Sequence, residues 1–255
     1  MTPVLASFLS DFNDALDFIV HQRESVSGGV QVGGHELLGF TGTHLLVSGV
    51  AVLLACAISV PIGLYLGHVR KGEFLAITVS NVGRAIPTLA LLAFFVAYLG
   101  VGFVNVTFVL VLLAIPPILT NVYVGITQVD RETVDASRGM GLTELQIIRR
   151  VELPLALPII FGGIRTSSVN VVATATIAPL ASVNTLGTPI INANVYGSAG
   201  RLGAAVLVAL LTLAVDLALT GVQRAVTPAG LKLTHGEQRR RRLPVPQFLR
   251  REQAT

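Results

Sequence analysis

HLLVSGVAVLLACAISVPIGLYLG, residues 44–67, contains no Asp, Glu, Lys or Arg. A run of about 20 apolar residues, each rising 1.5 Å, crosses a hydrocarbon core of about 30 Å. Soluble amphipathic helices keep one polar face; this stretch has none. Working outward from it, comparable runs occupy 74–102, 104–126, 158–182 and 202–224. Of all residues, 52% are hydrophobic and 13% charged, about half the charged share of soluble domains. Lipid is therefore the expected solvent. The expected fold class is all-α, a polytopic membrane protein with five transmembrane helices.

The spans carry their own punctuation. Pro61 and Gly63 predict a kink near the end of the first. The stretch 74–102 is too long for one upright crossing, so 74–84 is expected to enter from the interface and 85–102 to form the span, with Pro87 in its first turn. Pro116 and Pro117 interrupt the third, which neighbouring helices can support. Ahead of the first span, Phe8, Phe12, Leu16 and Ile19 recur at helical spacing among acids, predicting an amphipathic helix lying on a surface. A poorly structured glycine-rich link is expected at Ser27–Gly34. Residues 1–20 contain Asp11, Asp14 and Asp17 and lack a basic start before an apolar core, so no cleaved leader is expected. The resulting division is an extracytoplasmic segment 1–40, a five-helix unit 41–226 with a polar loop at 127–157, and a basic tail 227–255.

Orientation follows from the basic residues. With the amino terminus outside, the inner segments hold Arg70, Lys71, Arg131, Arg138, Arg149, Arg150, Arg224, Lys232 and the tail arginines. The outer segments hold Arg23 and Arg201. The positive-inside rule selects this arrangement, making 127–157 cytoplasmic and setting the tail against anionic lipid rather than nucleic acid. Arginine far outnumbers lysine in an Ala- and Val-rich chain, as in GC-rich bacteria, so the expected location is a bacterial plasma membrane.

The loop contains VDASRGMGLTELQIIRRVELP, residues 134–154. Asp130 is placed to cap a two-turn helix through Arg138. Gly139 and Gly141 supply a corner. Thr143 and Gln146 form a capping-box pattern that opens a second helix, which Pro154 is expected to end. Leu145, Ile148 and Val151 fall on one side of it, an exposed apolar stripe of the kind that awaits a partner.

These positions resemble the coupling motif of binding-protein-dependent importer permeases: E-A-A, three residues, G, nine residues, I, one residue, L-P. Here they are Asp135, Ala136, Ser137, Gly141, Val151, Leu153 and Pro154, with Asp for Glu, Ser for Ala and Val for Ile. The resemblance implies the type I ABC importer permease fold and a loop seated on a separate ATP-binding subunit. It also implies a second permease chain, the same or related, and access that alternates as the ATPases close and open. The chain has no G-x-x-x-x-G-K-[ST] phosphate loop, so ATP is expected on the partner subunit. No cofactor, metal site or catalytic residue is expected in this chain.

Over about 41–232 the chain looks closest to permeases for quaternary-ammonium osmoprotectants such as glycine betaine, choline or carnitine. The carrying stretches are SNVGRAIPTLALL at 80–92, GIRT at 163–166 and VVATATIA at 171–178. A permease for another small solute, methionine or a sulfonate, is the alternative. The chain after the last span is short for a fused binding domain, so a separate extracytoplasmic solute-binding protein is expected. Methylammonium ligands favour aromatic cages; with no Trp and four Tyr, this chain fits a low-affinity polar path, with Asn81, Thr88, Asn170, Thr174 and Thr176 as its expected lining. The same small polar residues also serve helix packing. Arg84 and Arg165 are expected to snorkel near the inner boundary, while Asp216, deeper in the fifth span, is expected to pair with an arginine or to ease passage of a cation. An ion-driven secondary transporter would show inverted repeats with intramembrane acids, and a membrane scaffold would leave the corner at Gly141 unexplained.

Overall fold

The computed structural model describes residues 3–74, 78, 81, 83 and 85–227. Arg84 and the basic tail after Thr227 lie outside the described residues. Nine helices and one hairpin follow in order among those described: α1 (Pro3–Val20), β1 (Gln22–Glu24), β2 (Gln31–Gly33), α2 (His35–His68), α3 (Thr88–Leu99), α4 (Phe103–Thr127), α5 (Arg131–Gly139), α6 (Glu144–Ile147), α7 (Leu153–Thr174), α8 (Thr188–Ile191) and α9 (Ala193–Val226). A π-type turn, Ile148–Glu152, joins α6 to α7, and a 3-10 turn, Ala175–Ala181, follows α7.

The centre is the seam between α2 and α4. Val47, Ala51, Ala55, Ser59, Gly63 and Gly67 recur every four residues on α2 and are all buried. They form one ridge of small side chains against which Ala114, Ile118, Val122 and Ile126 of α4 pack. A Cβ on Gly63 would lie 2.7 Å from Val122, and one on Gly67 2.7 Å from Ile126. Small residues at four-residue intervals let membrane helices approach this closely. The large residues of α2, Leu46, Leu53 and Leu54, point outward, which carries no penalty in lipid.

Pro116 and Pro117 leave α4 helical throughout. Neighbouring hydroxyls support the backbone beside them. Ser167 of α7 donates to the Ala114 carbonyl at 3.0 Å and Ser59 of α2 to that of Ile115 at 3.3 Å. Gly163 of α7 meets Asn121 of α4 so closely that a Cβ would lie 2.4 Å away.

Helices α2, α4 and α9 are long and apolar enough to cross a membrane by themselves among the described residues. The other two expected spans correspond to α3, which has 12 residues, and to α7, which has 22 residues and carries Arg165 within it. Most of 74–84 falls outside the described residues. The first span begins at His35, earlier than expected, because Glu36 secures its start: its carboxylate accepts from the Gly33 N–H at 3.2 Å and from the Tyr196 hydroxyl at 2.8 Å. Pro61 sits inside this unbroken helix.

The link at Ser27–Gly34 is not structureless. Gln22–Glu24 pairs antiparallel with Gln31–Gly33, and Phe18, fully buried, stacks edge-on against Tyr196 at 6.2 Å with Arg23 5.0 Å from its ring centre. The expected fifth span corresponds to the part of α9 beyond Gly197, whose φ of 68° breaks the helix.

Candidate functional site

Two regions gather most of the residues singled out from the sequence: the loop end of the molecule, around α5 and α6, and a polar face of α7 and α9.

At the loop end, Asp130 caps α5 by accepting from the Glu132 N–H and the Thr133 hydroxyl. The helix closes with the Leu142 N–H on the Ser137 carbonyl (3.2 Å) and the Gly141 N–H on that of Arg138 (2.9 Å). This is a Schellman close, which needs a left-handed residue at the position of Gly141. Gly141 has φ 83°; Gly139 remains helical, so one glycine of the pair makes the corner. The expected capping box is present: Gln146 N–H to Thr143 Oγ1, and Thr143 N–H to Gln146 Oε1 at 2.9 Å.

Pro154 does not end the second helix. From Glu144 to Thr174 the chain stays helical, with Pro154 at the start of α7. The intervening π-type turn, in which the Leu153 N–H reaches the Ile148 carbonyl, widens the backbone where a proline ring would otherwise strike the preceding turn.

The motif residues divide by exposure. Asp135, Ala136 and Gly141 face outward. Ser137 is buried and bonds the Thr133 carbonyl at 2.8 Å. Val151, with Leu142, packs on a small core of Val129, Val134 and Ile147, while Leu153 and Pro154 are half-buried. The expected stripe of Leu145, Ile148 and Val151 is therefore only partly exposed: Val151 turns toward that core, and Ile148 is half-buried, lining a cleft with His68 and Glu152. The exposed apolar residues are Met140 and Leu145, at 74% and 56%.

An ionic chain ties this element to the end of α2. Arg138 holds Asp135 (2.9 Å) and both oxygens of Glu144 (2.9 and 3.1 Å). His68, the last residue of α2, stands 3.0 Å from Glu144 through Nε2 and 2.7 Å from the buried Glu152 through Nδ1. Arg70 donates to the Val129 carbonyl at 2.8 Å. Hydrogen bonds from Arg138 hold the Glu144 carboxyl below its ordinary range, and Glu144 in turn raises Arg138. Sequence reasoning passed over His68 as part of a basic turn. The signal available was a histidine at a helix end on the same membrane side as two unassigned glutamates.

On the membrane face, Arg165 of α7 and Asp216 of α9 make a two-point pair, with Nη2 to Oδ2 at 2.7 Å. Arg165 thus pairs rather than snorkels. Asn170 shares the adjoining cleft of about 360 Å3 with them. Thr88 lines a different, apolar cavity beside Pro116, and Asn81 is exposed. Thr174 and Thr176 lie farther along the chain and are half-buried, Thr176 bonding the Ala173 carbonyl. The five expected path residues therefore do not converge on one site. His44, also passed over, is buried and donates from Nε2 to the Val172 carbonyl at 2.8 Å, joining α2 to α7.

Residues 59–229, including the whole loop element and the charged pair, match the family described as binding-protein-dependent transport system inner membrane component. The chain belongs to this family. The permease is 40% identical over 204 residues to the glycine betaine/carnitine/choline transport system permease protein of Bacillus subtilis (strain 168), covering 80% of this chain and 94% of the relative. It is 38% identical to the carnitine transport permease protein of Listeria monocytogenes, covering 79% and 93%. Its fold resembles that of a chain from an inward-facing MetNI methionine ABC transporter, with a TM-score of 0.67 at 24% identity, covering 75% of this permease and 96% of that chain. The permease is thus an inner-membrane ABC importer component, and its family implies an ATP-binding subunit and a solute-binding protein as partners.

Proposed function

We propose that this permease imports quaternary-ammonium osmoprotectants of the glycine betaine, choline and carnitine class. It does so by alternating access, in a dimer with a second permease chain, driven by a separate ATPase seated on the loop end. The observation that carries the coupling role is the corner at Gly141: it leaves Asp135, Ala136 and two apolar side chains, Met140 and Leu145, outward on a rigidly capped element. The substrate class rests on the relatives at 38–40% identity over about four-fifths of the chain.

In this reading, residues 41–226 form the transport unit and 127–157 the cytoplasmic coupling loop. The segment 1–40 is extracytoplasmic, and the basic tail 227–255 lies on the inner surface. The basic residues of the loop and tail support this orientation. ATP binds the partner subunit, this chain performs no hydrolysis of its own, and no cofactor is assigned to it. Of the proposed path residues, Asn170 shares a cleft with the charged pair; Asn81, Thr88, Thr174 and Thr176 are proposed as lining at separate points of the route. The absence of Trp from the sequence suits a permease whose selectivity is set by the binding protein.

The test is uptake of labelled glycine betaine, choline and methionine by cells with and without the chain. Betaine and choline uptake should depend on it. Dependence of methionine uptake alone would overturn the substrate class, and a loop end labelled only from outside by membrane-impermeant reagents would overturn the coupling role.

A further inference from the structure

The Arg165–Asp216 pair stands where charges are costly. At about 1.5 Å per residue, Arg165 lies about 10 Å beyond residue 158, where the expected span of α7 begins, and Asp216 about 12 Å before residue 224, where that of α9 ends. Gln223 near the end of α9 bonds the Pro158 carbonyl near the start of α7 at 2.8 Å, so both distances run from the same end of the molecule. Both depths lie inside a hydrocarbon core about 30 Å thick. A purely structural pair at that depth is best sealed between helices. This one is open: the Arg165 side chain is 38% exposed and that of Asp216 24%. Both line the cleft of about 360 Å3 with Gly162, Thr166, Asn170 and Gln223, a volume within the range of small-ligand sites.

We infer that the Arg165–Asp216 cleft is a transient binding subsite for zwitterionic solutes, in which the solute's carboxylate replaces Asp216 on the guanidinium fork while its quaternary cation lies against the freed Asp216 carboxylate. The inference rests on the osmoprotectant reading above. Its physical basis is charge balance. Guanidinium, carboxylate and zwitterion sum to zero before, during and after the exchange, so no net charge is carried into a low-dielectric region. The planar Arg fork accepts a carboxylate at two points. A quaternary ammonium donates no hydrogen bond, so Asp216 holds it by charge alone while Thr166 and Asn170 supply polar wall. A cation without a carboxylate, such as choline, engages Asp216 only and competes with Arg165 for it.

This asymmetry sets the experiment. In the assembled importer with its ATPase and binding protein, betaine and choline uptake are measured for the wild type and for Arg165→Gln, Arg165→Lys and Asp216→Asn, each corrected for permease in the membrane. Upstream selectivity cancels because the binding protein is common to all. Loss of a charge-assisted two-point contact costs about tenfold or more. Arg165→Gln should therefore lower the betaine-to-choline uptake ratio by about tenfold, Arg165→Lys should lower it less, and Asp216→Asn should depress both solutes. If the Gln protein does not reach the membrane, the Lys protein decides. Equal loss of both solutes in the Arg165 variants, leaving the ratio unchanged, marks a structural pair and overturns the inference alone. A wild type that carries neither solute overturns the substrate reading instead.

Discussion

The seam between α2 and α4 and the corner between α5 and α6 both depend on glycine, for opposite reasons. At Gly63 the backbone is ordinary helix and the neighbour is the constraint, since any Cβ would meet Val122 at 2.7 Å. At Gly141 there is nothing within 4 Å, and the constraint is the chain's own φ of 83°. Inside the membrane, where lipid is as apolar as any side chain, helices are held by closeness of fit. At the loop end, water competes for every contact, and shape comes from caps, turns and a chain of charged groups. The same residue type therefore reports space in one region and conformation in the other.

Substitutions can break this contrast or sharpen it. The largest effect is expected at the seam. Gly63→Leu should abolish accumulation of folded permease, because helix backbone has to separate; detergent-extracted monodisperse protein is the measure, and near-normal yield would refute the close-fit account. At the corner, Gly141→Val should cost about 1–2 kcal/mol locally and weaken ATPase association while leaving the membrane part folded. Gly141→Asn, which tolerates left-handed backbone, should retain most of it; co-purification of the ATPase distinguishes them, and equal loss from both would point to side-chain contact rather than backbone geometry.

A smaller effect is expected where the two regions join. Glu152 is buried against His68, and an unmet buried partner costs about 1–3 kcal/mol. Glu152→Gln should lower uptake several-fold with the ATPase still bound; unaltered uptake would show that the link between α2 and the loop carries no transport role. The smallest effect is electrostatic. Glu144 has a folded-state pKa below its ordinary value of 4.5, so its stabilising contribution is complete above that value and disappears as pH falls through the depressed one. Arg138→Gln should remove this part of the acid dependence. A melting curve scanned downward from neutral pH tests it, and high salt should mimic the change because the pair is exposed.

The loop end was readable because its determinants are local. Asp130, Gly141, Thr143 and Gln146 act on partners within a few positions, and each does in the structure what its chemistry demands. Pro154 misled because its usual role as a terminator gives way when one turn widens to i→i+5, and no single-residue rule marks that. The long apolar runs announced α2, α4 and α9, whereas the run at 158–182 became α7, in which Arg165, Thr166, Ser167 and Ser168 interrupt the apolar sequence. The Arg165–Asp216 pair, 51 positions apart, and the His68–Glu152 contact, 84 apart, are products of tertiary arrangement. The sequence offered the charges and the likelihood of pairing for Asp216, but not the partner's identity. The hairpin after α1 escaped notice because each strand has three residues, too few for an alternating pattern to register.

From Glu144 to Thr174 the helical path runs about 45 Å, passing through the one widened turn at Ile148–Glu152. A tilt of about 10° imposed at the corner would swing the far tip by about 8 Å. In the coupling role proposed above, a modest rocking of the motor beneath would reach the opposite end of the helix as a displacement the width of a small solute.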